Sequence, residues 1–527
     1  MTDDATAATP HVVVIGGGIA GLSAAFYLRD EPVRVTVLEG SPRLGGKLSA
    51  SDVAGVSMDE GAEALLARRP EGIELITAAG LGADLVPVGV TSSAIYTRGA
   101  MRSLPRRQFM GVPADPDELA ATGVVSAEGV ARARDESARP AETRDMSVTE
   151  YVGSRLGVEV VDRLVDPLLG GVYAGRSEDL SFQATLAPLA AAARKHATLT
   201  EAAASLLPPP ANNSNRPQAG STTAVNTTAG NIAADGAVGG SPAAGAAVTG
   251  SVAAGPAGVT AAGDTAATGG AGKPAPIFVS LTAGIGALPE TVAKASGADV
   301  RTNSMVRELK RTPTGWRLTI GSAADPEYLD ADAVILAVPA APAARLLKDA
   351  ASEAAARLAE IPYASMAIVT LAFRAADFPA QQRSGYLVPA VDGRAVKAVT
   401  FSTVKWPHLA AQAPVHVVRC SVGRSGDVAV LQRDDEDLAA LAAAELAEAT
   451  GRPAKSIAQR VTRWGGGLPQ YNVGHLDRVA AIRAAVARQP GLAVAGAAYD
   501  GVGIPACIAT ARSAVAQITA HLNTRRA

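Results

Sequence analysis

His11-Val12-Val13-Val14-Ile15-Gly16-Gly17-Gly18-Ile19-Ala20-Gly21, running on into Leu22-Ser23-Ala24-Ala25-Phe26-Tyr27-Leu28, is the most informative stretch of this chain. A β-branched run precedes a glycine cluster, a segment of helical composition comes next, and residues 33–38 (VRVTVL) alternate as a second strand. The order is strand, tight turn, helix, strand. The glycines satisfy G-x-G-x-x-G, in which they permit a tight turn, close approach of the backbone to a pyrophosphate, and close strand–helix packing. The helix N-terminus then faces the phosphates. Glu39 ends the second strand 21 residues after Gly18, where an acidic side chain hydrogen-bonds ribose hydroxyls. A glycine-rich turn alone could be purely structural, with Glu39 solvated; the combination points to a dinucleotide site.

The residues just beyond the second strand narrow the ligand. Glu39-Gly40-Ser41-Pro42-Arg43-Leu44-Gly45-Gly46-Lys47 resembles the E-x-x-x-R-x-G-G stretch of FAD proteins of the glutathione reductase type, amine oxidases above all. That resemblance implies that Arg43, Gly45 and Gly46 run along the diphosphate and ribityl of FAD; the alternative for Arg43 and Lys47 is a solvated basic face. Near the other end, residues 492–495 (LAVA) are strand-like, Gly496, Gly501 and Gly503 form a second glycine turn, and residues 508–522 are helical. Pro505 suits a helix start, where its missing N–H costs nothing. Such a helix N-terminus can stabilise negative charge on a flavin ring, although a second structural turn is the plainer alternative.

Composition bounds the rest. At 527 residues the chain exceeds one small module, and a net charge of −2 gives no general attraction to nucleic acid or anionic lipid. Apolar residues make up 48%, but only 7 Phe, 9 Tyr and 3 Trp are present, so the core is built largely from Ala, Val and Leu. Two cysteines, Cys420 and Cys507, exclude a dense disulfide framework. The acidic, Thr-rich N-terminus has no signal-peptide pattern, and the longest apolar run, residues 363–373, is about half of what a membrane-spanning helix needs. A cytoplasmic protein without a transmembrane segment is expected, with residues 363–373 as a buried strand. The six histidines have no metal-ligand spacing, so no metal is expected.

Further along, helices are expected at residues 71–79, 149–156, 288–295, 343–358 and 436–450, with residues 112–145 polar and poorly periodic. Strands are expected at residues 333–338, 367–373 and 415–422, and a hairpin from residues 300–309 and 316–320. From about residue 202 to 276 the composition collapses to Ala, Gly, Ser, Thr, Pro and Asn. A segment so poor in large apolar groups cannot offset its ordering entropy, and no fixed glycine period supports a collagen-like or elastic repeat; a flexible insertion is expected.

Several local signatures then converge: Asp59-Glu60-Gly61-Ala62-Glu63 before Leu65, Met110-Gly111-Val112-Pro113, Gly170-Gly171-Val172-Tyr173-Ala174-Gly175, Pro469-Gln470-Tyr471-Asn472-Val473-Gly474-His475, and Gly501-Val502-Gly503-Ile504-Pro505. They resemble the protoporphyrinogen/coproporphyrinogen oxidase family over nearly the whole chain outside the insertion. The implied fold is α/β: a discontinuous Rossmann-type FAD-binding domain of the glutathione reductase/amine oxidase type (residues 1–92, 277–345 and 485–527), a mixed-sheet substrate domain (93–111 and 346–484), a helical subdomain (112–204) and the disordered insertion (205–276). Implied FAD contacts are Gly16, Gly17, Gly18, Ile19, Ala20, Gly21, Glu39, Gly40, Arg43, Gly46, Lys47, Gly61, Ala62, Glu63, Ala64, Val306, Trp464, Val502, Gly503 and Ile504. For Val306 and Trp464 taken alone, an ordinary core role is the plainer alternative.

The implied reaction is oxidation of coproporphyrinogen III to coproporphyrin III in haem biosynthesis. Six hydrogens leave in two-electron steps to the flavin, and O2 carries the electrons onward as H2O2. A ferrochelatase is the candidate recipient of the porphyrin. Such a substrate calls for an apolar pocket with a few cations for its propionates, and the candidates nearest the family segments are Arg68, Arg102, Arg176 and Lys195. No residue stands out as a general base. Protoporphyrinogen IX is the alternative substrate; an amine oxidase, a carotenoid desaturase-like enzyme and a non-catalytic flavin or porphyrin carrier are the alternative functions. The chain departs from the family at Ala506, at Arg106-Arg107 and at Thr282-Ala283-Gly284, which bears on local loop geometry.

Overall fold

The structure, a computed structural model, describes residues 9–208, 276–378, 381–452 and 455–526. Nearly all of the low-complexity segment, residues 209–275, therefore lies outside the described residues. Strand His11–Ile15 is buried at every position and lies at the centre of a five-stranded parallel sheet with strand order 299–301, 34–38, 11–15, 333–336 and 492–494. Apolar runs buried on both faces are what an all-parallel sheet requires. Helix Ile19–Leu28 comes after the first strand, and its small Ala24 and Ala25 admit the C-terminal helix Ile504–Arg526 and helix Leu288–Ser296 against it. Gly21 is required by the strand–helix turn itself: a Cβ there would sit 1.9 Å from the carbonyl oxygen of Gly16.

A second sheet has seven strands, in the order 458–469, 363–374, 415–422, 396–401, 385–387, 93–97 and 100–103; it is antiparallel except where 385–387 runs parallel to 93–97. The expected buried strand at residues 363–373 is its long second member. Helix Asp435–Thr450 covers one face, with Leu438, Ala442 and Leu446 in a common core with Val369, Leu371 and Val418. Alternation along the strands leaves Arg419, Ser421, Ala398 and Thr400 for the opposite face. A layer of helices between residues 116 and 205 packs around Tyr151, Leu164, Leu168 and Phe182. Within it, residues Val161–Val165 widen into one π-helical turn just before Asp166-Pro167, where proline can donate no hydrogen bond.

Some element expectations need correction. Residues 112–145 contain two helices, Pro116–Thr122 and Ala127–Arg134, capped by the side chains of Asp115 and Ser126. Residues 343–358 form parts of two helices, Ala340–Leu347 and Ser352–Ala359, not one. Of residues 300–309, the first part joins the parallel sheet as Asp299–Arg301, and only Val306–Arg311 makes the hairpin with Trp316–Gly321. The last helix starts at Ile504, so its N-terminus is nearer the glycine turn than residue 508 implied.

Candidate functional site

A cavity of about 1000 Å³ reaches from the first glycine turn to the free face of the seven-stranded sheet. That is at the upper end of ligand-pocket sizes, which suits a long cofactor better than one small molecule. At its first end, Gly18 is the N-cap of helix Ile19–Leu28, and the N–H groups of the first helical turn have no intrahelical acceptor. Gly18 has an ordinary extended backbone, and a Cβ on it would meet nothing within 4 Å. The protein itself would tolerate a side chain there; what that side chain would fill is cavity. Gly45 and Gly46 lie alongside, with Gly45 bridged to Gly18 and its N–H donating to the Gly17 carbonyl at 2.8 Å. Two glycine segments thus make a cradle with backbone on both sides, which fits a diphosphate.

Glu39 closes this end. Its carboxylate accepts from the Gly17 N–H at 2.7 Å and the Ser41 N–H at 2.8 Å, so it secures the turn as well as lining the cavity. Lys47 also lines the cavity, and burial holds its ammonium below the ordinary lysine range. Arg43 does not line it; the guanidinium donates to the carbonyls of Leu44 and Gly46 and faces the Trp464 ring at 6.0 Å. Arg43 therefore braces the second glycine segment from behind.

The loop at residues 59–64 forms one flank. Asp59 accepts from the N–H groups of Ile285 and Gly286 at 3.0 and 2.7 Å; burial nevertheless pushes its carboxyl up to about 6. Trp464 donates to the Glu60 carbonyl at 3.0 Å and packs against Gly61. Glu63 bridges Lys405 and Arg419, and Arg419 donates further to the Gly61 carbonyl at 2.6 Å. Burial alone would raise the Glu63 pKa, but the two cations hold it down to about 2.

The second glycine turn enters from the opposite side, bringing Gly496, Val502, Gly503 and Ile504 to the cavity with the N-terminus of the C-terminal helix. Tyr471 pins it. The buried phenol donates to the Ala497 carbonyl at 2.6 Å and accepts from the Gly501 N–H at 2.8 Å. His475 stacks on the Tyr471 ring at 3.8 Å, and its Nε2 contacts the Tyr499 carbonyl at 3.0 Å; burial lowers its pKa to about 4, so the ring is neutral and Nε2–H is the donor. The neighbouring Gln470 donates to the Tyr173 carbonyl at 2.7 Å, and the Ser181 N–H donates to the Tyr471 carbonyl at 2.8 Å. One short segment thereby ties the C-terminal turn to the helical layer that contributes Gly171 and Val172 to the cavity.

Most residues expected at a flavin do meet in this cavity: Gly16, Gly18, Ile19, Ala20, Glu39, Gly40, Gly46, Lys47, Gly61, Ala62, Glu63, Ala64, Val306, Trp464, Val502, Gly503 and Ile504 line it. Gly17 and Gly21 sit behind the turn. The four cations expected for the substrate do not line it. Arg68 and Lys195 are exposed, Arg102 lies on strand Ala100–Ser103 with its guanidinium near Gly123, and Arg176 is paired with Glu178. The cations that do reach the cavity, besides Lys47, are Arg307, Arg345, Lys405 and Arg419. Lys405 and Arg419 are more than 300 residues from their Glu63 partner, so no local pattern marks them.

The profile of the flavin containing amine oxidoreductase family matches residues 19–519. The coproporphyrinogen III oxidase of Mycobacterium leprae is 34% identical, over 97% of this chain and 98% of its own length; that of Bacillus subtilis is 28% identical, over 97% and 98%. Among solved structures, a provisionally named protoporphyrinogen oxidase from Exiguobacterium sp. 255-15 superposes with a TM-score of 0.76 at 27% identity, covering 97% of this chain and 99% of that one. The glycine cradle, the second turn and these likenesses agree: this chain is a flavin-dependent oxidoreductase and belongs to the flavin-containing amine oxidoreductases, within the family of the coproporphyrinogen III oxidases.

Proposed function

We propose that the chain binds FAD noncovalently and oxidises coproporphyrinogen III to coproporphyrin III, with O2 as the acceptor and H2O2 as the second product. The observation that carries this reading is the cavity that joins a diphosphate-sized glycine cradle to a sheet face bearing apolar side chains beside Arg419 and Lys405. The relatives named coproporphyrinogen III oxidase support it along nearly the full chain. When bound, the flavin supplies two-electron acceptor chemistry. Gly16, Gly18, Gly46 and the first turn of helix Ile19–Leu28 would hold the diphosphate, Glu39 would take the ribose, and Val306 would lie at the adenine. The N-terminus of helix Ile504–Arg526 favours negative charge at the ring system. The apolar walls at Val172 and Leu387 exclude water from the reacting face. The work divides between the parallel-sheet region as cofactor domain and the seven-stranded sheet with its helical layer as substrate domain, in a cytoplasmic enzyme that passes its porphyrin to a ferrochelatase.

Anaerobic mixing with each porphyrinogen tests the reading. Coproporphyrinogen III bleaches the yellow flavin band, and admission of O2 restores it with appearance of coproporphyrin fluorescence. Faster bleaching by protoporphyrinogen IX would reassign the substrate. Bleaching by amines alone would make the chain an amine oxidase, and binding without bleaching would make it a carrier.

A further inference from the structure

Strand register sorts the side chains that the seven-stranded sheet turns toward the cavity. Arg419 pairs with Thr400, Thr400 with Gly385 and Gly385 with Ser93, which makes one row across four strands. The adjacent row consists of Ile368, Ser421, Ala398 and Leu387. The first row is polar; the second is apolar apart from Ser421. Lys405 and Glu63 stand at the Arg419 end of the polar row.

This row is short of hydrogen-bond partners. Arg419 is 7% exposed, and while its two Nη atoms donate to Glu63 and Gly61, its buried Nε has no partner among the described residues. The buried hydroxyls of Ser93 and Ser421 also lack one. All three residues line the cavity. Leaving such groups unpaired is costly, so native proteins rarely keep them without a ligand or water to meet them. Both cations lean on one carboxylate: Glu63 bridges Lys405 and Arg419, while Asp59, which also acts on Arg419, accepts its hydrogen bonds from the Ile285 and Gly286 amides.

We propose that Arg419, Thr400 and Ser93, with Lys405, form the subsite for the carboxylate arms of the substrate, and that the apolar row beside them carries its ring system. The ligand class is a broad apolar macrocycle with several acid arms along one edge. The inference rests on the porphyrinogen reading above and adds to it the residues that set the preference for a more acidic substrate. Arg68, Arg102, Arg176 and Lys195 have no part in it.

The test is equilibrium binding to the flavin-loaded full chain, read by porphyrin fluorescence, with coproporphyrin III and its tetramethyl ester as probes, alongside steady-state kinetics with coproporphyrinogen III. Wild type is expected to bind the acid at least about tenfold more tightly than the ester. Lys405→Met is expected to weaken the acid about tenfold, leave the ester unchanged, and raise KM with kcat preserved. Ser93→Ala and Thr400→Val repeat the test with smaller losses and without disturbing Glu63, so a poorly folded Lys405 variant does not end it. Equal acid affinity in wild type, Ser93→Ala and Thr400→Val, or equal losses for acid and ester, overturns the subsite. A wild-type protein that neither binds coproporphyrin nor oxidises its porphyrinogen overturns the porphyrinogen reading, and the subsite with it.

Discussion

The turn at residues 16–21 and the turn at residues 496–504 both leave a strand of the parallel sheet, enter a helix and open on one cavity, yet they are secured by different means. The first is held from within its own neighbourhood: the Gly16 N–H donates to the Leu38 carbonyl, Glu39 accepts from Gly17, and Gly45 lies alongside. Apart from the Glu39 carboxylate it is built from backbone, with no room for a Cβ at Gly16, Gly17 or Gly21. The second is held by side chains from outside, the Tyr471 phenol at Ala497 and Gly501 and the Thr510 hydroxyl at Gly496. A turn built from backbone fails when atoms are added, and a turn built from side chains fails when atoms are removed.

This contrast orders the expected effects. Gly21→Val should give no soluble folded protein, since its Cβ alone would stand 1.9 Å from a backbone oxygen; recovery of a normal circular dichroism spectrum would refute the contact. Gly18→Val should fold with an ordinary melting temperature for the flavin-free state, yet retain no flavin through gel filtration, because its side chain occupies only cavity. Retained yellow colour would move the diphosphate elsewhere.

The third effect is the pH dependence that His475 contributes beside the second turn. His475 in the folded chain has its pKa lowered to about 4 from 6.5, so between those values the unfolded chain binds a proton that the folded chain refuses. The His475 contribution to stability should therefore fall as pH drops from about 6.5 to 4, by about 3 kcal/mol, with no slope above pH 6.5, while Asp59, raised to about 6, contributes in the opposite sense below that pH. Denaturant titrations across that window should show the stability of wild type relative to His475→Gln falling as pH drops, and a pH-independent difference would count against it. Glu39→Ala ranks next, with flavin affinity down ten- to a hundredfold, the worth of about 1.5–3 kcal/mol in a charge-assisted hydrogen bond. Isothermal titration with FAD measures it. The smallest effect is Tyr471→Phe, about tenfold in FAD affinity with an altered flavin spectrum, as two buried backbone groups lose their shared partner. Tyr499→Phe is its control: that hydroxyl is buried without a hydrogen-bond partner among the described residues, so its loss should change nothing.

Residues close in sequence are legible without the structure, because adjacency carries the physics. The first glycine turn, Glu39 and the strand at residues 11–15 act within one strand–helix–strand unit, and period and spacing suffice to find them. The helices at residues 116–122 and 127–134 bury few side chains, Leu119, Val130 and Ala133 among them, so hydrophobic period misses them. Their caps, Asp115 before Pro116 and Ser126 before Ala127, are the signal the chain does carry. The break between Leu347 and Ser352 falls in an Ala-rich run without proline or glycine and leaves no mark. Arg176 owes its appeal as a substrate cation to a conspicuous motif beside it, but its guanidinium turns to Glu178. Lys405 and Arg419 take their meaning from which face of a seven-stranded sheet they occupy, and that depends on register between strands far apart in the chain.

The strand order of the parallel sheet also dictates a timetable. The first strand lies between residues 34–38 and 333–336, and the sheet is closed by residues 492–494, whose succeeding helix packs on helix Ile19–Leu28. A chain emerging from the ribosome holds the glycine cradle from its first fifty residues but has no second turn to face it until about 500 have been made. Pairings of such long sequence separation form slowly, and the apolar strand at residues 11–15 waits with one edge uncovered until residues 333–336 are made. Flavin capture is therefore a late event in the making of this protein, and the interval before it is when the nascent chain is most exposed to aggregation.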